Sequence, residues 1–173
     1  VLSVVGQGWA PAAATVDWFT SRGKTLDGAG LDPAVVPGAL HAALTVLERW
    51  GTMTFEEVAA KAIEYAEKGF PLRPRTARTI ERNLDFFEQW PDNKKYWLKP
   101  DGSLYAPGET IALPTLANTL KRMVDAERAA AGHGRAAAVA AARDRFYEGD
   151  IAEEMVGFLK EHGSPFELAD FAE

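Results

Sequence analysis

Trp50-Gly51-Thr52-Met53-Thr54-Phe55-Glu56-Glu57-Val58 decides how the chain is built, because it stops one helix and starts the next. Thr54-Phe55-Glu56-Glu57 is a capping box, in which the Thr54 hydroxyl accepts the Glu57 N–H and the Glu57 carboxylate reaches back to Thr54. Upstream, Leu40, Ala43, Leu44 and Leu47 recur at helical spacing, and Gly51 ends that run. Downstream, Phe55, Val58, Ala59, Ala62 and Ala66 share one apolar face until Gly69. Two amphipathic helices joined by so short a connection predict an αα-hairpin.

Helical patterning continues on both sides. Ala77, Ile80, Leu84 and Phe87 predict a helix that ends before Pro91, and Pro114 opens another carrying Leu116, Leu120 and Met123. An Ala-rich stretch over 129–142, interrupted by Gly132-His133-Gly134, resumes as a helix through Phe146. Ile151, Met155, Phe158 and Leu159 mark a further helix stopped by Gly163, and Ser164-Pro165-Phe166-Glu167 reads as a second capping box. Toward the N-terminus, Pro11 introduces a helix over 12–21, followed by a Gly- and Asp-rich connector over 23–37. Val1-Leu2-Ser3-Val4-Val5 predicts a short buried strand, which needs a sheet that nothing else in the chain provides. Tyr96-Trp97-Leu98 and Ser103-Leu104-Tyr105 predict a small hairpin over 94–107, turning at Asp101-Gly102. The expectation is a mostly α chain whose minor β content belongs to a larger sheet.

The 173 residues, 47% hydrophobic and 25% charged, suit one folded domain with a real core. A formal charge of -6 argues against nucleic acid and anionic membrane as partners. No apolar run approaches the roughly 18 residues of a membrane span, and no signal peptide is expected within the chain, because the apolar Val1-Leu2-Ser3-Val4-Val5 is too short. The absence of cysteine excludes disulfides and thiolate catalysis in this chain, and leaves cytoplasm and periplasm both open.

Few residues point to chemistry. His41, His133 and His162 lack a metal-binding spacing and read as structural or solvent-facing, so no metal is expected. There is no Gly-x-Ser-x-Gly elbow, and Gly28-Ala29-Gly30 lacks the third glycine of a dinucleotide site, so no cofactor is expected. The acidic groups Glu56-Glu57, Glu153-Glu154 and Asp125 with Glu127 read as solvated helix faces, and Arg143-Asp144-Arg145 as surface charge. Phe86, Phe87, Trp90, Tyr96 and Trp97 read as packing. Gly6-Gln7-Gly8-Trp9-Ala10-Pro11 stands apart, because glycines flanking a polar side chain let another backbone or a ligand come close. The plainer reading of it is a strand-ending turn.

Trp9-Ala10-Pro11-Ala12-Ala13-Ala14-Thr15-Val16-Asp17-Trp18-Phe19, Val36-Pro37-Gly38, Trp50-Gly51-Thr52-Met53, Ala66-Glu67-Lys68-Gly69-Phe70-Pro71, Leu113-Pro114-Thr115-Leu116-Ala117-Asn118-Thr119-Leu120 and Phe146-Tyr147-Glu148-Gly149 recur in a specific order. Together they resemble the large subunit of gamma-glutamyltranspeptidases, over nearly the whole chain from Ala10 onward. The resemblance implies an N-terminal-nucleophile hydrolase with a four-layer αββα core. Its precursor cuts itself, and a threonine that begins the small subunit attacks a γ-glutamyl or related acyl amide. Nothing here matches that threonine's motif, so the resemblance makes residues 1–173 a single segment of the large subunit. The N-terminal part and the catalytic small subunit would lie outside it. The small subunit would be its partner, and the segment alone would be inactive.

The resemblance also marks Gln7 and Trp9 as candidate substrate contacts and supplies no catalytic residue. Typical transferases carry an arginine at the Gln7 position, where it holds the substrate's α-carboxylate. Losing charge assistance from such a pair costs roughly 1.5–3 kcal/mol, which directs attention to acyl amides other than glutathione. Arg22 and Arg73 are the candidate cations to replace it. The rival reading is a non-catalytic helical interaction module derived from the same fold, with the 23–37 loop or the 94–107 hairpin as its contact surface.

Overall fold

The start of the second long helix shows how closely local chemistry sets this fold. The Thr54 N–H donates to Glu57 Oε2 at 2.7 Å and the Glu57 N–H donates to Thr54 Oγ1 at 3.1 Å, closing the expected capping box. The next two N–H groups, of Phe55 and Glu56, donate to Glu127 Oε1 and Oε2 at 2.5 and 2.8 Å. Glu127 is therefore buried, 4% exposed, and not part of a solvated face. A carboxylate at the positive end of a helix that satisfies two otherwise orphaned donors explains why burial is tolerated.

The computed structural model describes residues 2–26, 28 and 30–172. In chain order its elements are α1 (Val16–Thr20), α2 (Gly38–Trp50), α3 (Phe55–Lys68), β1 (Phe70–Pro71), α4 (Pro74–Arg82), α5 (Leu84–Glu88), α6 (Pro91–Trp97), β2 (Thr110–Ile111), α7 (Pro114–Ala129), α8 (Arg135–Tyr147), α9 (Asp150–Glu161) and α10 (Ala169–Ala172). They fall into two compact units, one of residues 1–58 with 122–173 and the other of residues 59–121.

In the first unit α8 packs along α2 and against α9. Ala138, Val139 and Ala142 are its buried residues in the middle turns, and their small size lets the neighbouring backbone come close. Arg135, the first residue of α8, donates to the Leu47 and Glu48 carbonyls at 2.8 Å each and so closes the C-terminus of α2. Val36, Tyr147, Ala152, Val156, Phe166 and Phe171 form the apolar core of this unit. Arg143 and Arg145 are not simple surface charge: Arg143 pairs with Glu48 at 2.7 Å, and Arg145 grips Asp150 with two bonds of 2.5 and 2.7 Å. Arg122 adds a third contact to Asp150 at 2.7 Å.

In the second unit Leu72, Ile80, Leu98 and Ile111 make the core. Phe70 pairs with Ile111 and Pro71 with Thr110 in an antiparallel two-stranded sheet that the residue pattern does not announce. Gly69 ends α3 at φ +88°, and a Cβ there would stand 2.4 Å from Thr110 Cγ2, so the sheet closes only over a glycine.

Several expectations need correction. Residues 2–5 form no strand and are exposed, because the sheet among the described residues pairs β1 only with β2; Val1 lies outside the described residues. The first helix is shorter than 12–21: residues 11–14 make a turn, and the Thr15 hydroxyl caps α1 through the Trp18 N–H at 3.1 Å. The helix expected over 77–87 is two, α4 and α5, broken at Asn83, whose side chain donates to the Thr79 carbonyl at 2.7 Å. Pro91 opens α6, which takes Tyr96 and Trp97 out of the expected hairpin. Only Leu98 and Leu104 bridge, around the turn that Asp101 holds by accepting the Ser103 N–H at 2.9 Å. The second capping box does not form: Ser164 Oγ has no partner among the described residues, and the Glu167 N–H donates instead to Asp170 Oδ2 at 2.8 Å. The chain is mostly helical with little sheet, and the described residues do not themselves form four layers.

Candidate functional site

Gly8 and Gly38 mark a crossing of two backbones within the first unit. A Cβ on Gly8 would stand 1.6 Å from the Val36 carbonyl oxygen, and one on Gly38 would stand 2.6 Å from the Gly8 nitrogen. Glycine is required at both places by close approach. The Val36 N–H donates to the Trp9 carbonyl at 3.0 Å and fastens the crossing. Gly6 and Gly8 flank Gln7 in the sequence reading, and of the two partners it allowed the structure supplies another stretch of this chain: the Val36 backbone at Gly8, and at Gly6 the Ala39 Cα and Ala42 Cβ, which an added Cβ would approach to 3.2 and 3.0 Å.

Asp170 then ties the far end of the chain to this segment. Its carboxylate accepts the Ala12 and Glu167 N–H groups, each at 2.8 Å, and its carbonyl accepts Trp9 Nε1–H at 3.1 Å. Asp170 is buried, so all of its polar capacity goes to positioning. Tyr147 secures the third side. Its hydroxyl accepts the His41 N–H at 2.9 Å and donates to the Pro37 carbonyl. Those two groups sit four residues apart and would otherwise pair in the first turn of α2, so the phenol is inserted into that turn. The His41 and Tyr147 rings meet edge-on, with centroids 5.4 Å apart.

These contacts leave a cleft of about 90 Å³ whose walls include Gln7, Trp9, Gly38, His41, Tyr147 and Glu148. That volume admits a few waters or the head of one small ligand. Gln7 and Trp9, the two residues singled out from sequence, both line it and both are exposed. The Gln7 carboxamide makes no hydrogen bond among the described residues. Among the described lining residues Glu148 is the only carboxylate, and there is no lysine or arginine. Burial lowers the pKa of His41, and the nearby Arg143 lowers it further, so its imidazole is neutral near pH 7. Burial raises the pKa of the Tyr147 phenol, which stays protonated as its donated bond requires.

Arg22 does not serve this cleft. Its guanidinium donates to the Trp18 carbonyl at 3.2 Å and lies 4.7 Å from the Trp18 ring centroid. Arg73 belongs to the other unit. His133 sits in the short turn before α8, and His162 Nδ1 lies 2.8 Å from the Phe158 carbonyl oxygen. Among the described residues no cluster of His, Asp or Glu is placed to hold a metal, and no helix is long and apolar enough to cross a membrane. Sequence reasoning missed His41, Tyr147, Glu148 and Asp170. Phe146-Tyr147-Glu148-Gly149 was noticed as a motif, but nothing in it says that its tyrosine reaches a helix more than a hundred residues away.

Comparison with known proteins places these features in a family. The profile for Gamma-glutamyltranspeptidase matches residues 1–173. Among curated relatives, the chain is 29% identical over 143 residues to the Glutathione hydrolase-like YwrD proenzyme of Bacillus subtilis strain 168, covering 82% of this chain and 24% of that protein. The solved structure of LmbA2991T421A superposes with a TM-score of 0.89 at 34% identity, over 96% of this chain and 30% of the other. The cephalosporin acylase of Bacillus halodurans superposes with a TM-score of 0.75 at 27% identity, again over 96% and 30%. The chain spans about a quarter of the length of the curated relatives it matches. With the motif order, the matching fold and a profile that runs end to end, the chain belongs to the gamma-glutamyltranspeptidase family.

Proposed function

We propose that residues 1–173 are one segment of the large subunit of an enzyme that cleaves a γ-glutamyl or related acyl amide. In this reading the remaining polypeptide completes a four-layer αββα core and supplies the nucleophile, a threonine freed by self-cleavage at the start of the small subunit. The threonine hydroxyl adds to the amide carbonyl, the amine leaves carrying the proton, and an acyl ester remains. Water or an amino compound then takes the acyl group and restores the hydroxyl. The segment contributes one wall of the site, with Gln7 and Trp9 as substrate contacts, and is inactive alone.

The observation that carries this reading is the convergence of Gln7 and Trp9 on one cleft, built by the same motifs that carry the family resemblance. Among the described lining residues there is no lysine or arginine, which favours acyl groups other than one gripped through an α-carboxylate, and a cephalosporin acylase among the structural neighbours agrees with that emphasis. The test is the intact mass of the product of the complete open reading frame, with turnover of an acyl p-nitroanilide. Two chains, the second beginning with threonine, and release of nitroaniline are expected. A single uncut chain without turnover would overturn the proposal.

A further inference from the structure

We propose that Glu148 sets the charge preference of the Gln7–Trp9 cleft, which receives a substrate head group bearing a primary ammonium and turns away a carboxylate. The inference rests on the acyl-amide reading above and names which acyl groups that site takes. Glu148 is the only carboxylate in a described lining with no lysine or arginine. Its backbone is fixed, since its N–H donates to the Asp144 carbonyl at 2.8 Å and the preceding Tyr147 is locked to the first turn of α2. Its carboxylate has no hydrogen bond or ion pair among the described residues and is free to accept one.

The neighbouring cations do not offset it. Arg143 is held by Glu48 and Asp144, and Arg145 by Asp150. His41 is neutral near pH 7, for the reasons of burial and charge already given. The other groups on the walls suit an ammonium as well: the Gln7 carboxamide oxygen accepts N–H donors, and the half-exposed Trp9 ring offers a π face to a cation. A cleft of about 90 Å³ takes such a head group and not a whole peptide, so the charge on the head group is what the cleft reads.

Four p-nitroanilides separate the contributions in the complete, processed enzyme: γ-glutamyl, glutaryl (the amine removed), 4-aminobutanoyl (the carboxylate removed) and butanoyl (both removed). The expected order of kcat/KM places 4-aminobutanoyl above butanoyl and butanoyl above glutaryl. Glu148→Gln should lower the ratio of 4-aminobutanoyl to glutaryl about fivefold, as befits a partly solvated charge pair, and Glu148→Lys should invert it. A ratio that neither variant moves would overturn this inference and leave the acyl-amide reading standing, as would an equal loss on all four substrates. Failure of the unmodified enzyme to cleave any of the four would overturn the acyl-amide reading, and this inference with it.

Discussion

Replacing Gly8 with alanine gives a prediction whose sign depends on the backbone crossing. A free turn glycine at ordinary φ should gain about 0.4–1 kcal/mol from alanine, because the unfolded chain loses freedom. Gly8 is not free: the added Cβ would meet the Val36 oxygen at 1.6 Å, where about 3.0 Å is the closest that Cβ atoms keep. The crossing therefore has to open by about 1.4 Å, the difference between those two distances. The hydrogen bond from Val36 to the Trp9 carbonyl breaks with it, at about 1 kcal/mol, and overpacking adds about 1–3 kcal/mol. The net expectation is a loss of about 2 kcal/mol, seen as a lower midpoint in urea at unchanged slope. If the crossing forms the substrate wall of the proposed function, a shift of that size should also lower kcat/KM of the complete enzyme about a hundredfold. A variant as stable as the parent or more so, with full activity, would refute both the crossing and its role in the site.

Three further outcomes follow from the same geometry. Glu127→Ala should destabilise the protein by about 2–4 kcal/mol in denaturant unfolding, since two charge-assisted bonds to the N-terminus of α3 are lost; a cost within 0.5 kcal/mol, roughly the noise of surface substitutions, would contradict that role. Tyr147→Phe should cost about 1–2 kcal/mol, limited because the His41 N–H and Pro37 carbonyl can then pair directly, and hydrogen exchange of the first turn of α2 should quicken. Arg145 and then Arg122 hold the Asp150 carboxyl well below its usual range. A folded-state pKa below the unfolded one gives stability that is complete above the usual carboxylate range and is lost as pH falls below about 4. Asp150→Asn should flatten that part of a pH–stability curve, and an unchanged curve would remove Asp150 from the account.

Features set by neighbours in sequence were legible, and features set by distant neighbours were not. The Thr54–Glu57 box, the Gly51 and Gly69 stops, and the helical runs of α2, α3, α8 and α9 follow from spacing within a turn or two, but Ala43, Val58, Ala62 and Phe158 of the expected apolar faces are exposed. Glu127 was misread because a carboxylate in a polar helix run looks solvated until the helix it caps, more than seventy residues away, is placed beside it. Ser164 to Glu167 satisfied the capping pattern, yet Asp170 took the Glu167 N–H, since a carboxyl group held in place by the fold outcompetes a local hydroxyl. Pro91 was seen as a stop when it also serves as a start, which a single proline does not reveal. At the cleft, two glycines announced close approach and the resemblance chose Gln7 and Trp9. The walls opposite, His41, Tyr147 and Glu148, come together only through tertiary packing.

The central claim is that the cleft at Gln7 meets the substrate of an acyl-amide enzyme. Its most direct test is KM for γ-glutamyl-p-nitroanilide in the complete enzyme carrying Gln7→Arg. A guanidinium placed beside the substrate's α-carboxylate should lower KM about tenfold or more. A KM unchanged from that of the parent would remove Gln7 from the substrate site and contradict the account.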